Sequence, residues 1–418
     1  MIRTVRIALA LAGCMSLSAW AQDSTASTDN THPVSVEPIA ERPLGAFGTL
    51  ATGAVETYGL QNSAAKVYRL SEGISVGGYA ELEYINRFAK DDSGAKAGDK
   101  DSIDLHRMVM FLGYRFNDKF VFNSEIEFEH VSELSVEFAY LDWKVHENLA
   151  LRAGNILVPM GILNEVHEPT TYFGVLRNTV ERNIIPSTWH ENGLGLMGNV
   201  GDLDFRAYGL TGFKALDYSK KGIRSGRQEG GEDVAEDFGG VLRLDYSPLL
   251  GLSLGASGYL GGSGQAEPNP IATGDIGGCT GMAEAHATYH YRGLKLAALF
   301  AYLHIQDTIA LNTVLGLAGA DGIGREQIGY YAEAGYNVLS SVNLSHALTP
   351  FVRYEATNRH LSVAPGFQKD PALDESHIVA GLQYSPIPMV VVKLDYDNMR
   401  TGSDTGLDAV RAGLGLSF

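Results

Sequence analysis

From Ile74 to the end of the chain, hydrophobic and polar positions alternate with a period of two residues. In the first such stretch Val76, Leu82 and Tyr84 share one face of an extended chain, and Glu81 and Glu83 share the other. This period is typical of a β-strand whose two faces meet different environments. Runs of about ten such residues recur with polar turn residues between them. The pattern predicts an all-β protein of about sixteen strands.

The links between these runs are of two kinds. Short links are predicted at Asn117–Asp118, Glu147–Asn148, Gly201–Asp202, Ser247–Pro248 and Arg292–Gly293, and long ones near 214–236, 262–278, 306–326 and 358–374. Bacterial outer-membrane barrels have short periplasmic turns and long external loops. A soluble β-sandwich, the alternative all-β architecture, does not call for this two-ended difference. We therefore predict a transmembrane antiparallel β-barrel over residues 73–418.

The chain ends on an alternating run, "AVRAGLGLSF". Val410, Leu414, Leu416 and Phe418 fall on one face of this predicted strand. Aromatic side chains are enriched where barrel strands meet the membrane interface. We predict that Phe418 caps the last lipid-facing row and acts as the assembly signal that barrel-insertion machinery reads.

The start of the chain has the pattern of a secretory signal peptide. Arg3 and Arg6 precede an apolar run, and the small-residue pattern Ala19–Trp20–Ala21 predicts cleavage before Gln22, so that residues 1–21 are removed. Leu11–Ala12–Gly13–Cys14 offers an alternative, lipidation of Cys14. Residues 22–72 are predicted to be a periplasmic N-terminal tail, polar over 22–48 and with a short helix or an extended entry segment over 49–72.

Composition narrows the class of protein. The net charge of −17 argues against nucleic acid as a partner, since phosphates need a basic surface. The cysteines are Cys14 and Cys279, so signal cleavage leaves one, and neither an intramolecular disulfide nor a cysteine-based metal cluster is predicted. No run of about eighteen apolar residues follows the signal, so no transmembrane helix is predicted. No cofactor and no metal site are predicted.

Several stretches, in order along the chain, resemble the phosphate-selective porin O and P superfamily: "LRAGNILVPMGILNEVHEP", "VERNIIPSTWHENGLGLMG", "FRAYGLTGF", "VLRLDYSP", "YYAEAGYNVL" and "PFVRYE". The resemblance implies a homotrimeric, sixteen-stranded porin in the outer membrane of a Gram-negative bacterium. Its implied partners are outer-membrane lipid, lipopolysaccharide and the barrel-assembly machinery. In that family a G-x-x-x-x-P strand end, here Gly154 to Pro159, leads into a third external loop that folds into the pore.

This resemblance and the strand pattern together select the candidate site residues. The inserted loop is predicted to supply the pore constriction: Glu165, His167, Glu168, Arg177, Glu181, Arg182, His190 and Glu191. Strand parity assigns the predicted lumen lining, which includes Arg107, Arg115, Glu125, Glu127, Glu129, Arg152, Arg243, Arg353, Lys393 and Arg411. Such charges either pair across neighbouring strands and stiffen the wall, or create a transverse field that screens solutes.

The expected function is passive diffusion of small hydrophilic solutes and ions. Acidic and basic lumen positions nearly balance, so the sequence lacks the uncompensated basic ladder of a phosphate filter. A phosphate or anion channel and a sealed structural or adhesin barrel stay open as alternatives. No enzyme is predicted, because Ser257, Ser263, His286 and His290 come without a G-x-S-x-G motif. In "EIEFEHVSE" Glu125, Glu127 and Glu129 fall on one face and His130 on the other, which weakens a joint metal site.

Overall fold

Sixteen antiparallel strands form a closed barrel in the computed structural model, which describes residues 60–98, 100–342 and 344–418. Each strand pairs with its neighbours in sequence, and β1 pairs with β16 to close the ring. The predicted fold class is confirmed. The predicted signal peptide and most of the predicted tail lie outside the described residues.

The strands are β1 Gly73–Arg87, β2 Ser102–Arg115, β3 Phe120–Glu129, β4 Glu133–His146, β5 Leu149–Leu157, β6 His190–Val200, β7 Leu203–Thr211, β8 Phe238–Leu249, β9 Leu252–Gly262, β10 Cys279–Tyr291, β11 Leu294–Ile305, β12 Gly324–Tyr336, β13 Ala347–Val363, β14 Asp374–Ile387, β15 Val390–Thr401 and β16 Ala409–Ser417. The α-helices are α1 Thr179–Asn183 and α2 Thr308–Val314. Short 3-10 helices cover Ala64–Arg69, Ala215–Asp217, Arg224–Gly226, Gly319–Asp321 and Pro371–Leu373. Over the described ranges, every helix is too short or too polar to span a bilayer.

Burial is reversed relative to a soluble protein. Large apolar side chains on one face of the strands are exposed, as at Leu194 and Leu260, where 65% of the side-chain surface is accessible. Charged side chains on the opposite face are buried, and Arg152 and Arg353 are each 1% exposed. Charged groups are almost never fully buried unless paired. Lipid outside the barrel and a polar interior account for both observations. We call the charged face the inner face.

The two ends of the barrel differ as the pattern predicts. The links at one end are 116–119, 147–148, 201–202, 250–251, 292–293, 337–346 and 388–389, and those at the other are 88–101, 130–132, 158–189, 212–237, 263–278, 306–323, 364–373 and 402–408. The link expected at Ser247–Pro248 lies instead at Leu250–Gly251. A register shift between Tyr246 and Leu249 carries β8 past the proline.

The ring closes at the last residue. The amide of Phe418 donates to the carbonyl of Gly78 at 2.9 Å, and the amide of Gly78 donates back to the carbonyl of Phe418 at 3.0 Å. A Cβ at Gly78 would lie 2.8 Å from the Phe418 ring, so glycine makes room for the aromatic side chain. The ring is half exposed on the apolar face. Its predicted role as an assembly signal stays a prediction.

Candidate functional site

The longest link at the long-loop end is loop 3, residues 158–189 between β5 and β6. It turns at Gly161, whose φ of +72° favours glycine and where a Cβ would lie 2.6 Å from the Glu181 carboxylate. That carboxylate accepts hydrogen bonds from the Leu163 amide at 2.5 Å and the Tyr331 hydroxyl at 2.7 Å. Asn178 caps α1 by accepting from the Glu181 amide at 2.8 Å. Loop 3 is therefore organised around one buried acid, Glu181.

Loop 3 bonds to inner-face side chains on strands all around the ring. The Tyr172 hydroxyl donates to Glu81 of β1 at 2.8 Å, and the Val175 amide donates to Asp395 of β15 at 2.6 Å. Its other partners on the wall include Glu125 of β3, Glu137 of β4, Arg206 of β7, Arg243 of β8, Tyr331 of β12, Arg353 and Glu355 of β13, and Lys393 of β15. Such widely separated strands reach one segment only across the interior face.

Three of the predicted constriction residues pair with charged or polar partners on other elements. Glu165 lies 3.5 Å from Arg206 and 3.7 Å from Arg243. Glu168 accepts a hydrogen bond from Ser63 at 3.0 Å. His167 approaches Glu137 at 2.9 Å. Each of the three is buried, so these contacts fix loop 3 against its surroundings.

His190 and Glu191 lie on β6 rather than in loop 3, and both are buried. His190 contacts Asn155 at 3.1 Å. Glu191 accepts from the Trp189 indole and from the Gln228 amide, both at 3.1 Å, and so ties loop 3 to the link 212–237. These contacts give both residues a role in holding the loops.

Arg177 and Arg182 differ from the other six predicted constriction residues. Arg177 is half buried and donates to the His167 carbonyl at 3.2 Å, and Arg182 is exposed. Within the described ranges, neither forms an ion pair with an acid. They are the two arginines of loop 3, and both remain at least partly accessible to solvent.

The predicted lumen-lining residues form short ion-pair ladders along the inner face. Arg152 contacts Asp142 at 2.8 Å, Arg243 contacts Asp245 at 2.7 Å, and Arg411 contacts Asp395 at 2.6 Å. Further pairs are Arg107 with Glu81, Glu127 and Glu129, Arg353 with Glu333 and Glu355, and Arg411 with Asp397. Removing one member of such a buried pair leaves an uncompensated charge. Most of these residues therefore pair with an acid on their own or a neighbouring strand, as expected if the charges stiffen the wall.

Two predicted lumen cations have different partners. The Arg115 guanidinium donates to the Tyr68 carbonyl at 2.7 Å, besides a 3.6 Å contact with the exposed Asp118. The Lys393 ammonium donates to the Tyr172 carbonyl at 3.1 Å and lies 3.8 Å from the centre of the Tyr172 ring. Both hold main-chain segments to the wall rather than presenting a free charge.

Residues 60–70, the N-terminal segment, also pack against the inner face. Asn123 donates to the Ala64 carbonyl at 2.9 Å, and the Tyr68 hydroxyl donates to Asp142 at 2.7 Å. Val67 is buried over Gly113, where a Cβ would lie 2.7 Å from its side chain. Sequence reasoning named the ion pairs of β3 to β5 but not this segment as their neighbour.

Strand parity did not identify two buried or half-buried titratable residues of the inner face, His106 and Glu137. Register shifts place His106 and Glu137 at irregular positions of β2 and β4, between residues that keep regular pairing. A β-bulge adds one residue and inverts the in-out alternation beyond it. The sequence carries no distinct signal for these two bulges.

An arginine cluster on the long links was also missed. Burial, followed by the nearby charges of Arg227 and Arg182, lowers the pKa of Arg224 to about 9. Its Nη1 atom is buried without a hydrogen-bond partner in the described part of the chain. Arg227 instead donates to the Thr188 carbonyl at 2.8 Å and contacts Glu229 at 2.6 Å. Arg182 and Arg224 therefore lie near each other without an acidic partner in the described part of the chain.

The serine and histidine considered for hydrolytic chemistry lie on the inner face. Ser257 donates to Glu284 at 2.5 Å, and His286 contacts Glu284 at 2.9 Å and Asp245 at 3.1 Å. Both side chains thus share a carboxylate instead of bonding to each other. A nucleophile activated by a histidine requires that direct bond.

Solved bacterial barrels share this architecture. OmpF of Salmonella typhi, solved with daunomycin, superposes with a TM-score of 0.57 at 14% identity over 83% of this chain and 98% of that one. The trimer form of OmpT, an outer membrane protein of Vibrio cholerae, gives 0.53 at 13% identity over 84% and 100%. The anion-selective porin of Comamonas acidovorans gives 0.51 at 13% identity over 83% and 100%. The fold is that of the porins.

At the level of sequence, no family model matches the chain. An uncharacterized protein of Aquifex aeolicus (strain VF5) is 34% identical over 354 residues, which cover 81% of this chain and 78% of that one. The chain belongs to the family of this Aquifex protein. These comparisons support a porin fold. They do not confirm membership of the phosphate-selective porin O and P superfamily, which the sequence resembles.

Proposed function

We propose that the protein is an outer-membrane porin that lets small hydrophilic solutes and ions diffuse passively, with loop 3 narrowing the lumen. The observation that supports this most directly is the set of hydrogen bonds from loop 3 to inner-face side chains between β1 and β15. A barrel of sixteen strands encloses an aqueous channel unless something restricts it. A loop bonded across that channel would reduce its cross-section without closing the channel completely.

The paired charges of the wall contribute little net field to such a channel, because each arginine lies beside its acid. In and beside loop 3, the arginines without an acidic partner among the described residues are Arg177, Arg182 and Arg224. A ring of basic side chains favours anions at a constriction. We therefore propose a moderate preference for anions, and not selectivity for phosphate, which needs a longer ladder of uncompensated cations.

Planar-bilayer recording with reversal potentials in graded KCl tests the channel and its charge preference together. The parent protein is expected to give discrete conductance steps and a reversal potential on the anion side. Deleting residues 166–178 should raise the single-channel conductance, because this piece of loop 3 carries the wall contacts of Tyr172 and Val175. Conductance equal to that of the parent would place loop 3 outside the conduction path.

A sealed barrel is the second candidate function. It is favoured by the N-terminal segment, which packs against the same face as loop 3 and bonds to it through Ser63 and Glu168. Both elements together occupy more of the interior than loop 3 alone. The recordings separate the two candidates, since a sealed structural barrel gives no steps in the parent protein.

We also propose a homotrimer embedded in outer-membrane lipid and lipopolysaccharide, inserted by the barrel-assembly machinery. The trimer form of the Vibrio cholerae protein and the resemblance noted from the sequence support the assembly state. Crosslinking of the folded protein in native membranes, followed by unheated gels, tests it. A single band at monomer size after crosslinking would contradict it.

A further inference from the structure

We propose that Glu125, Glu137 and His167 bind a divalent transition-metal ion of the Zn²⁺ type between loop 3 and the barrel wall. Glu125 lies on β3, Glu137 on β4 and His167 in loop 3. One ligand atom from each lies within 4.8 Å of the others, and all three side chains are buried. Two carboxylates and one imidazole form a mixed oxygen and nitrogen ligand set that suits Zn²⁺.

The distances in the cluster fit a common central ion. His167 Nε2 lies 2.9 Å from Glu137 Oε2 and 3.4 Å from Glu125 Oε1. Ligand bonds of about 2.1 Å in a tetrahedral zinc site hold neighbouring ligand atoms about 3.4 Å apart. Only small side-chain movements are needed to place an ion between the three atoms.

The second ring nitrogen of His167 is already engaged. Nδ1 lies 2.9 Å from the Asn164 carbonyl, which can only accept a hydrogen bond. Nδ1 therefore carries a proton, and in the neutral ring the lone pair is on Nε2, facing the two glutamates. A backbone carbonyl that fixes the tautomer in this way is a common second shell of metal-bound histidine.

Hydrogen bonds within the protein do not satisfy all the buried polar atoms of this cluster. Glu125 Oε2 is buried without a hydrogen-bond partner in the described ranges, whereas Glu137 Oε2 lies 2.9 Å from His167 Nε2. The Tyr79 hydroxyl is buried without a partner as well, and its ring packs edge-on against His167 with the centroids 6.1 Å apart. Unpaired buried polar atoms call for an unseen partner such as an ion.

The cluster has no arginine or lysine of its own. Arg107 forms its ion pairs with Glu81, Glu127 and Glu129. In the described part of the chain, the ion pairs of Glu125 and Glu137 are with His167 alone. With the His167 ring neutral and bound to a metal through Nε2, the two carboxylates would carry a double negative charge, which a divalent ion would balance.

A second histidine on the inner face shows what a self-sufficient cluster looks like. His286 uses both ring nitrogens on carboxylates, Glu284 at 2.9 Å and Asp245 at 3.1 Å. Arg243 lies 2.7 Å from the same aspartate and supplies the missing positive charge. This cluster needs no metal, and it provides the matched control.

Metal content of the folded, untagged protein in detergent tests the site. The protein is stripped with EDTA, dialysed against Zn²⁺, Mg²⁺ or Ca²⁺, and the bound ion is counted by elemental analysis and by competition with a chromogenic chelator. We expect one Zn²⁺ per chain and no retained Mg²⁺ or Ca²⁺, which prefer sites made entirely of oxygen. His167→Gln and Glu137→Gln should each weaken Zn²⁺ binding at least tenfold, and His286→Gln should leave it unchanged.

Heat-modifiable migration on gels shows whether each variant has folded, and Glu125→Gln replaces any variant that has not. Absence of stoichiometric Zn²⁺ in the parent protein would overturn the site in favour of a protonated His167 that forms ion pairs with two glutamates. Zn²⁺ affinities of the His167→Gln and Glu137→Gln variants equal to that of the parent protein would do the same. Loss of binding in His286→Gln alone would place the ion elsewhere and overturn it too. None of these measurements depends on whether the barrel conducts.

Discussion

The hydroxyl of Ser63 donates a hydrogen bond to the Glu168 carboxylate at 3.0 Å, joining residues 105 positions apart in sequence. This bond connects the N-terminal segment to loop 3, the two elements that pack against the inner face from opposite ends of the strands. If the barrel conducts as proposed, we expect both elements to set the width of the lumen, and a change in one to alter the position of the other.

Replacing residues 60–70 with a glycine- and serine-rich stretch of equal length should raise single-channel conductance. The exchange removes the buried contacts of Val67 and Tyr68 with β2 to β4 and leaves β1 intact. The same recordings on Ser63→Ala are expected to show a smaller rise with more frequent current fluctuations, because one bond between the two elements is lost. Unchanged conductance in both variants would mean that the segment lies beside the conduction path.

Reversing Arg177 and Arg182 to glutamate should shift the reversal potential toward cations. These side chains are the loop 3 cations without an acidic partner in the described chain, so reversal changes the local field directly. The shift should be larger at low salt, where screening is weak. Arg292→Glu, at an exposed turn of the opposite end, is the matched control and should shift the potential far less. Equal shifts in both would assign the preference to net charge alone.

Arg152→Met should destabilise the folded barrel by about 3–5 kcal/mol, because it strands Asp142 as a buried, uncompensated charge. The free energy of unfolding in urea, followed by gel mobility in lipid vesicles, measures the effect. The exposed pair of Lys214 and Asp217, 3.1 Å apart, is the control. Lys214→Met should cost under about 1 kcal/mol. Similar losses in both variants would contradict the structural role given to the wall pairs.

Deleting Phe418 should lower the amount of folded barrel in the outer membrane and leave unfolded chain in the periplasm. The deletion removes both main-chain bonds to Gly78 and the ring that covers this glycine. Ser417→Ala, which keeps the backbone pairing and the terminal ring, is expected to assemble normally. Pulse-labelled cells analysed on unheated gels would report either result, and normal assembly without Phe418 would remove its signalling role.

The sequence predicted the barrel well because strand faces follow a strict period of two. The assignment of Glu81 and Arg152 to the interior needs only local alternation and a lipid exterior. His106 and Glu137 were missed for the same reason, since each sits at a register shift that the period cannot reveal.

The packing of the N-terminal segment was beyond such reasoning. Its six-residue 3-10 helix, Ala64–Arg69, is too short to show a period, and its position depends on distant partners such as Asn123 and Asp142. The cluster of Glu125, Glu137 and His167 is likewise a tertiary arrangement. It combines a regular strand residue, a bulge residue and a loop residue, and no sequence spacing joins the three.

The pairing of β1 with β16 imposes an order on assembly. One edge of β1 cannot pair until β16 has been synthesised and has reached the membrane. That edge of the sheet therefore stays unpaired until the last strand is added. Loop 3 bonds to side chains on β1 and on β15, so its full set of contacts requires the strands on both sides of this seam to be in place. Unfolding is expected to begin at the seam, because it joins the two ends of the chain's sheet.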